Sequence, residues 1–240
     1  SVAGYETGRY SYGRHSNPLV EIVESKLAVL ERGERALLFS SGMAAATAAV
    51  MHACSAGGHI ILQQTCYNPV KNFMERICIP KLNMEVTYLD CLDLGEIEAA
   101  IRPNTQAIMI ESPSTFVFDI IDIAGVAALA KRHGVRTYID NTYCTPLFQK
   151  PLELGVDYVM HTASKYLGGH SDLIGGALIV KEWGDELQND YRELFGSIPG
   201  PFEAWLVLRG MRTLAARLNQ HQESALAAAR FLHGPPKVKT

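Results

Sequence analysis

Short apolar runs alternate with longer helical patterns between residues 36 and 180. Seven of these runs are short and apolar enough to predict β-strands, and they cover residues 36–39, 59–62, 85–89, 107–110, 136–139, 158–160 and 176–180. Between them, an Ala-rich segment that ends at Ala53 and a periodic segment at residues 122–133 predict helices.

After residue 180 the strand pattern stops and helical patterns follow. Residues 183–194 predict one helix, residues 196–201 a loop, and residues 202–232 one long helix that contains Gly210. Strands that alternate with helices predict an α/β fold, here a mostly parallel seven-stranded sheet with helices on both faces.

Polar residues stand at four of the predicted strand ends. Each of the following clusters comes directly after a strand: Ser41-Gly42-Met43, Glu111-Ser112-Pro113, Asp140-Asn141 and the segment from Thr162 to Lys165. In sheets of this type, ligands bind beyond the carboxyl ends of the strands. The four clusters therefore predict one shared site at that edge of the sheet.

Composition narrows the classes of protein that fit this pattern. The formal net charge is −3 and no run of Lys or Arg stands out, which argues against a nucleic-acid partner and against an anionic membrane surface. The five cysteines form no Cys-x-x-Cys pair and nothing groups the histidines as ligands, so we expect neither a disulfide framework nor a metal site. Reduced thiols, no signal-peptide pattern and no apolar stretch of bilayer length predict a cytoplasmic protein without a membrane partner.

Lys165 is the first candidate for chemistry. It follows a buried-looking strand among Thr162, Ser164 and two glycines, where partial desolvation would favour the nucleophilic amine. A solvated lysine is the alternative. Chemistry with pyridoxal phosphate (PLP) requires such an amine to hold the cofactor aldehyde, a carboxylate for the ring nitrogen, an anion site for the phosphate and a flat surface against the ring.

Further candidates supply the other requirements. Asp140 closes an apolar strand, which is costly for an unpaired acid, and it either pairs with a ring nitrogen or caps a turn. Ser41-Gly42-Met43 precedes a helix whose N–H groups can bind a phosphate, unless it is an ordinary N-cap. Tyr67 can stack on a ring, and Arg14 beside Tyr12 can contact a phosphate; a loop tyrosine and a surface arginine are the alternatives.

Taken together, these residues resemble the cystathionine γ-synthase-like group of fold-type I PLP enzymes, also called the Cys/Met metabolism family. Four segments are similar to that family's cofactor-lysine signature, aspartate segment, phosphate-binding turn and Tyr-x-Arg element: residues 163–172, 140–142, 41–43 and 12–14. The matches follow the family's order over nearly the whole chain. Within the family, the bacterial cystathionine β-lyases look most similar, because of Tyr67-Asn68-Pro69 and residues 111–119.

The resemblance implies a role for each candidate. Lys165 holds PLP and, once freed by the substrate, takes the α-proton. Asp140 pairs with the ring nitrogen, and Tyr67 stacks on the ring and assists proton transfer. The residues that hold the phosphate are Ser41, Gly42, Met43, Thr162 and Ser164.

The resemblance also implies a reaction and an assembly. Tyr12 and Arg14 reach the phosphate of a neighbouring subunit, which implies a homodimer or homotetramer. The implied reaction is β-elimination of a small amino-acid substrate, L-cystathionine, to homocysteine, pyruvate and ammonia. The γ-synthase, γ-lyase and methionine γ-lyase activities of the same scaffold are the alternatives.

Domain organisation follows from the same resemblance. Family members continue into a smaller C-terminal domain with an arginine for the substrate α-carboxylate, and the chain stops at Thr240, before that domain. We expect a segment at 1–30 that contacts a neighbouring subunit, a PLP-binding large domain at 31–200, and a long helix at 201–240 that leads to a truncated C-terminal domain. A truncated, inactive protein of this fold is the alternative from a different class.

Overall fold

The computed structural model describes Tyr10, residues 12–90 and residues 93–233. A seven-stranded sheet forms its centre, in the order β1-β7-β6-β5-β4-β2-β3. The strands are β1 Arg35–Phe39, β2 His59–Gln63, β3 Glu85–Leu89, β4 Thr105–Glu111, β5 Arg136–Asp140, β6 Tyr158–Thr162 and β7 Gly176–Val180. All seven predicted strands are confirmed. Strand β7 runs antiparallel to β1 and β6, and the other neighbouring pairs are parallel, so the sheet is mostly parallel.

Helices connect the strands and cover the sheet. They are α1 Pro18–Glu31, α2 Gly42–Ala53, α3 Asn68–Phe73, α4 Ile79–Leu82, α5 Leu94–Ala100, α6 Ile123–Arg132, α7 Thr145–Phe148, α8 Gly184–Glu186, α9 Pro201–Met211 and α10 Leu214–His233. A π-helical turn at Met74–Cys78 joins α3 to α4, a second at Leu187–Glu193 extends α8, and a 3₁₀ turn at Pro151–Leu154 precedes β6. Within the described residues, no helix combines the length and apolarity needed to cross a bilayer.

Alternation along each strand gives the sheet two apolar faces. Ile108 and Ile110 of β4 belong to one buried cluster, which α1, α6 and α9 cover, whereas Ala107 and Met109 belong to the other, which α2 covers. Successive side chains of a strand point to opposite faces, so helices on both sides are needed to bury them. The predicted two-sided α/β architecture is confirmed.

The long helix predicted over residues 202–232 is two helices, α9 and α10, separated at Arg212 and Thr213. The carbonyl of Gly210 accepts hydrogen bonds from the Thr213 backbone N–H (3.1 Å) and from the Arg217 guanidinium (2.8 Å). The Thr213 carbonyl accepts from the Arg217 backbone N–H at 3.0 Å, which starts the next helix. Side-chain capping of this kind ends one helix and begins another without a proline, and the hydrophobic pattern does not reveal it.

Candidate active site

A pocket of about 690 Å³ opens at the carboxyl ends of β4, β5 and β6. Three of the four predicted polar clusters contribute to its walls, and α10 adds Arg217 and His221. The predicted site residues that line it are Tyr67, Asp140, Thr162, Ser164 and Lys165. The strand ends therefore bring these side chains together, as the strand pattern predicts.

The fourth cluster, Ser41-Gly42-Met43, does not line this pocket but lies next to Thr162, which does. The Ser41 hydroxyl caps α2 by accepting from the Ala44 backbone N–H at 3.0 Å, so the N-cap interpretation is correct for this side chain. The backbone of Gly42 packs against Thr162, because a Cβ at position 42 would lie 2.2 Å from the Thr162 hydroxyl oxygen. The free N–H groups of α2 therefore lie next to a pocket hydroxyl, an arrangement suited to an anion.

Lys165 lies on a tight turn that follows β6. The turn is closed by the Gly169 N–H, which donates to the Lys165 carbonyl at 2.7 Å, and by the Gly168 N–H, which donates to the Ala163 carbonyl at 2.8 Å. The side chain is exposed and makes no hydrogen bond or ion pair with a described residue. The described residues therefore do not bury the Lys165 amine, contrary to the partial desolvation expected from the sequence. The amine lies unpaired at the pocket wall.

Two later segments pack on this turn. A Cβ at Gly210 of α9 would lie 2.1 Å from the Gly168 carbonyl oxygen, and a Cβ at Gly169 would lie 2.3 Å from the Arg217 guanidinium carbon. Gly169 also has a φ of +79°, a conformation that side chains disfavour. Close contact with α9 and α10 thus fixes the backbone that carries Lys165.

Gly210→Ala is expected to destabilise the protein despite the better helix propensity of alanine. The propensity gain is about 1 kcal/mol. Overpacking a filled contact costs about 1–3 kcal/mol, and here the atom in the way is a backbone oxygen that cannot rotate aside. Urea unfolding of the full-length protein should show a net loss of stability.

Gly95→Ala is the matched control, because Gly95 is exposed in the first turn of α5 and its nearest contact is the Asp93 side chain at 3.0 Å. This control should unfold at or above the wild-type urea concentration. A Gly210→Ala protein as stable as wild type would show that α9 does not press on the lysine turn.

Asp140 and Glu111 end neighbouring parallel strands and stand in register. Both are buried, and no described lysine or arginine forms an ion pair with either. One Asp140 oxygen accepts from the Thr142 backbone N–H at 2.9 Å, so the turn-cap interpretation of this residue also holds. Burial raises the pKa of Asp140, while hydrogen bonds from Thr142 and the charge of His161 lower it.

Glu111 is a pocket residue to which sequence reasoning gave no role. Burial, followed by the neighbouring charge of Asp140, raises the pKa of Glu111 to about 7. The signal was present in the sequence, because Glu111 closes an apolar strand in the same way as Asp140. Two buried acids side by side, without an ion pair to a described lysine or arginine, form a site that attracts positive charge.

Asn141 points away from the pocket, into the buried layer beneath α1. Its amide donates to Glu31 at 2.8 Å, and the His161 ring hydrogen-bonds the same Glu31 oxygen at 2.5 Å. Gln149 donates to the Asn141 side-chain oxygen at 2.8 Å. This network ties the ends of β5 and β6 together and so fixes the spacing of the pocket residues on them.

Tyr67 precedes α3, lines the pocket and is 46% exposed as a whole residue. Its backbone N–H donates to Glu111 at 2.9 Å, which sets its position over the strand ends. A tyrosine held in this way presents an aromatic surface to the pocket.

Tyr12 and Arg14 do not line this pocket. Both are exposed, with the Arg14 guanidinium 5.0 Å from the centre of the Tyr12 ring. Arg14 also donates to the Glu193 carbonyl at 2.8 Å. The structure therefore separates these two residues from the pocket of their own chain, and their predicted role toward a neighbouring subunit stays a prediction.

The pocket fits PLP. The buried Asp140 carboxylate forms no ion pair with a described lysine or arginine, and a protonated ring nitrogen would supply such a partner. The glycine contact between α2 and Thr162 leaves backbone N–H groups and hydroxyls at one end, where a phosphate can bind. Lys165 and Tyr67 lie on the walls between these features. In the described part of the chain, no cluster of three or more His, Cys, Asp or Glu residues could hold a metal.

Comparison with known proteins agrees with this geometry. The sequence model of the Cys/Met metabolism PLP-dependent enzymes matches residues 2–240. The chain is 42% identical to the cystathionine gamma-lyase of Bacillus subtilis over 240 residues, which is 99% of the chain and 62% of the relative. It is also 42% identical to the L-methionine gamma-lyase of Porphyromonas gingivalis over 242 residues, which is 99% of the chain and 60% of that protein.

Solved structures show the same similarity. The crystal structure of metB from Corynebacterium glutamicum superposes with a TM-score of 0.94 at 34% identity, covering 98% of the chain and 61% of that structure. The crystal structure of cystathionine gamma-lyase from Lactobacillus plantarum complexed with L-serine superposes with a TM-score of 0.93 at 40% identity, covering 98% of the chain and 61% of that structure. The chain spans about 60% of the length of most of these relatives. With its fold, its pocket and its sequence in agreement, the chain belongs to the Cys/Met metabolism family of PLP-dependent enzymes.

Proposed function

We propose that the full-length protein is a PLP-dependent carbon–sulfur lyase that acts on L-cystathionine or a similar sulfur amino acid. The observation that carries this proposal is the meeting of Lys165 and Asp140 in one pocket at adjacent strand ends. Bound PLP supplies an aldehyde that an amine can hold and a ring that stabilises negative charge on the neighbouring carbon.

The chain's own side chains divide the remaining tasks. Lys165 is the anchor and the base that removes and returns the α-proton. Asp140 keeps a proton on the ring nitrogen through its negative charge. The N-terminus of α2, Thr162 and Ser164 bind the phosphate, and the Tyr67 ring covers the cofactor and keeps water out.

The names of the relatives favour a reaction at the γ-carbon, and the two named gamma-lyases favour γ-elimination. Those at 42% identity are named cystathionine gamma-lyase and L-methionine gamma-lyase, and another, from Mycobacterium leprae, is named cystathionine gamma-synthase. None of these names is that of a β-lyase, so the β-elimination that the resemblance implies lacks their support. β-Elimination stays the second candidate because of Tyr67-Asn68-Pro69 and residues 111–119.

Product analysis distinguishes the two reactions. With L-cystathionine and water, γ-elimination yields 2-oxobutyrate, cysteine and ammonia, whereas β-elimination yields pyruvate, homocysteine and ammonia. We expect the full-length protein to form 2-oxobutyrate as the main oxo acid, measured by chromatography after derivatisation. Pyruvate as the main product would establish β-elimination, and no oxo acid from cystathionine or methionine would contradict the lyase proposal.

We further propose a homodimer or homotetramer in the cytoplasm. Tyr12 and Arg14 are exposed and lie outside their own pocket, which supports a contribution to a neighbouring subunit. The four cysteines within the described residues are free, which suits a reducing compartment.

A further inference from the structure

Glu111 joins two loops across the pocket through one carboxylate. One oxygen accepts from the Tyr67 backbone N–H at 2.9 Å, and the other accepts from the Thr115 hydroxyl at 2.5 Å. Both partners line the pocket, and Glu111 itself is only 4% exposed. A buried carboxylate with two fixed donors holds those donors in a defined geometry.

The titratable groups that interact with Glu111 are Asp140 and Tyr138 on β5, Cys66 in the turn after β2, and Tyr143 in the turn after β5. Asp140 is the negatively charged neighbour of Glu111, whereas burial raises the pKa of Tyr138, Tyr143 and Cys66 and keeps these three groups neutral between pH 6 and 8. The basic groups that line the same pocket are Lys165 on the turn after β6 and Arg217 and His221 on α10, and none of them forms an ion pair with Glu111. Glu111 and Asp140 therefore compete, because ionisation of one makes ionisation of the other less favourable.

We propose that Glu111 is a positioning residue that holds the Tyr67 and Thr115 loops together over the pocket and controls, through its own charge, how readily Asp140 stays ionised. This inference rests on the proposed function, because the charge of Asp140 matters only if a ring nitrogen binds there. It gives the second acid of the pocket a task that the resemblance did not assign.

The charge competition has a defined direction with pH. The pKa of Glu111 lies at about 7, so the pair gains its second negative charge as pH rises through neutrality. A cationic ring nitrogen beside Asp140 stabilises that doubly charged state, so its binding releases a proton from Glu111 below pH 7. Affinity for the ring should therefore fall on acidification. One pH unit below the pKa, the fall is about tenfold.

The test uses the full-length protein freed of cofactor and pyridoxine 5′-phosphate as the probe. This probe carries the ring nitrogen and the phosphate but no aldehyde, so Lys165 forms no bond with it. Kd is measured between pH 6 and 8 for wild type, Glu111→Gln and Glu111→Asp. Titration of the probe itself is common to all three proteins and cancels in the comparison.

The two variants separate the effect of the Glu111 charge from the effect of its side-chain length. Glu111→Gln keeps the length of the side chain and loses the charge, so the increase in Kd from pH 8 to pH 6 should be about tenfold smaller than in wild type. Glu111→Asp keeps the charge but draws back from the Tyr67 N–H, so it should keep the pH dependence and bind several-fold more weakly at every pH.

Glu75→Gln is the control, because Glu75 is an exposed acid that accepts from the Tyr88 hydroxyl outside the pocket. It should show the wild-type pH dependence. A Glu111→Gln protein with that same dependence would overturn the inference and leave the proposed function intact. A wild-type protein that does not bind the probe, and forms no oxo acid, would instead contradict the proposed function. Circular dichroism checks that each variant is folded.

Discussion

Lys165→Ala in the full-length protein is expected to abolish both the visible absorbance of lysine-bound PLP and turnover. The amine stands free at the pocket wall, and the other walls offer no second lysine among the described residues. Loss of a positioned base alone costs about 10²–10⁴-fold in rate. Loss of the covalent anchor comes in addition, so residual activity should lie below detection. Absorbance spectra with added cofactor and oxo-acid assays measure the two effects.

Lys131→Ala is the matched control, because Lys131 lies on the surface of α6, away from the pocket. It should keep the wild-type spectrum and rate. If Lys165→Ala kept both the absorbance and the turnover, Lys165 would be a solvated surface lysine, and the assignment of the site would fail.

The sheet was predictable because burial on both faces leaves a strong local signal. Most strands are short apolar runs, and each predicted run is a strand, from Arg35–Phe39 to Gly176–Val180. The edge strand Glu85–Leu89 is the exception, because none of its residues is buried. Helix α1 was not predicted, although Val20, Val23 and Leu27 follow a helical spacing and pack in the core. The break between α9 and α10 depends on Thr213 and Arg217 side chains, which a pattern of apolar positions does not include.

The location of the pocket could be predicted from the sequence, whereas the interactions among its residues could be predicted only in part. Strand ends fix where Asp140 and Lys165 lie, because carboxyl ends of parallel strands share one edge of the sheet. The pairing of Asp140 with Glu111 depends on the register between β4 and β5, which is a property of the folded sheet. The exposure of Lys165 is likewise a property of the folded protein, because it depends on which elements cover the pocket, and the local sequence does not specify those elements.

Asp140→Asn separates the two interpretations of Asp140, the turn cap and the cofactor partner. Asparagine can still accept the Thr142 N–H, so the cap survives the substitution, whereas the negative charge is lost. If Asp140 holds a protonated ring nitrogen, turnover should fall by at least about a hundredfold, because breaking a buried charge pair costs about 3 kcal/mol or more. Steady-state rates of oxo-acid formation measure this loss.

In the absence of cofactor, Asp140→Asn is expected to stabilise the folded protein, although the same substitution lowers turnover. Burial raises the pKa of Asp140, so at pH 8 the folded protein carries a charge that the unfolded chain would hold more easily. Removing it should raise the urea midpoint at pH 8 and have less effect near pH 4. Asp122→Asn, which keeps an equivalent cap on α6, is the control and should keep full turnover. Undiminished turnover in Asp140→Asn would leave Asp140 as a cap alone, since only the cofactor interpretation requires its charge.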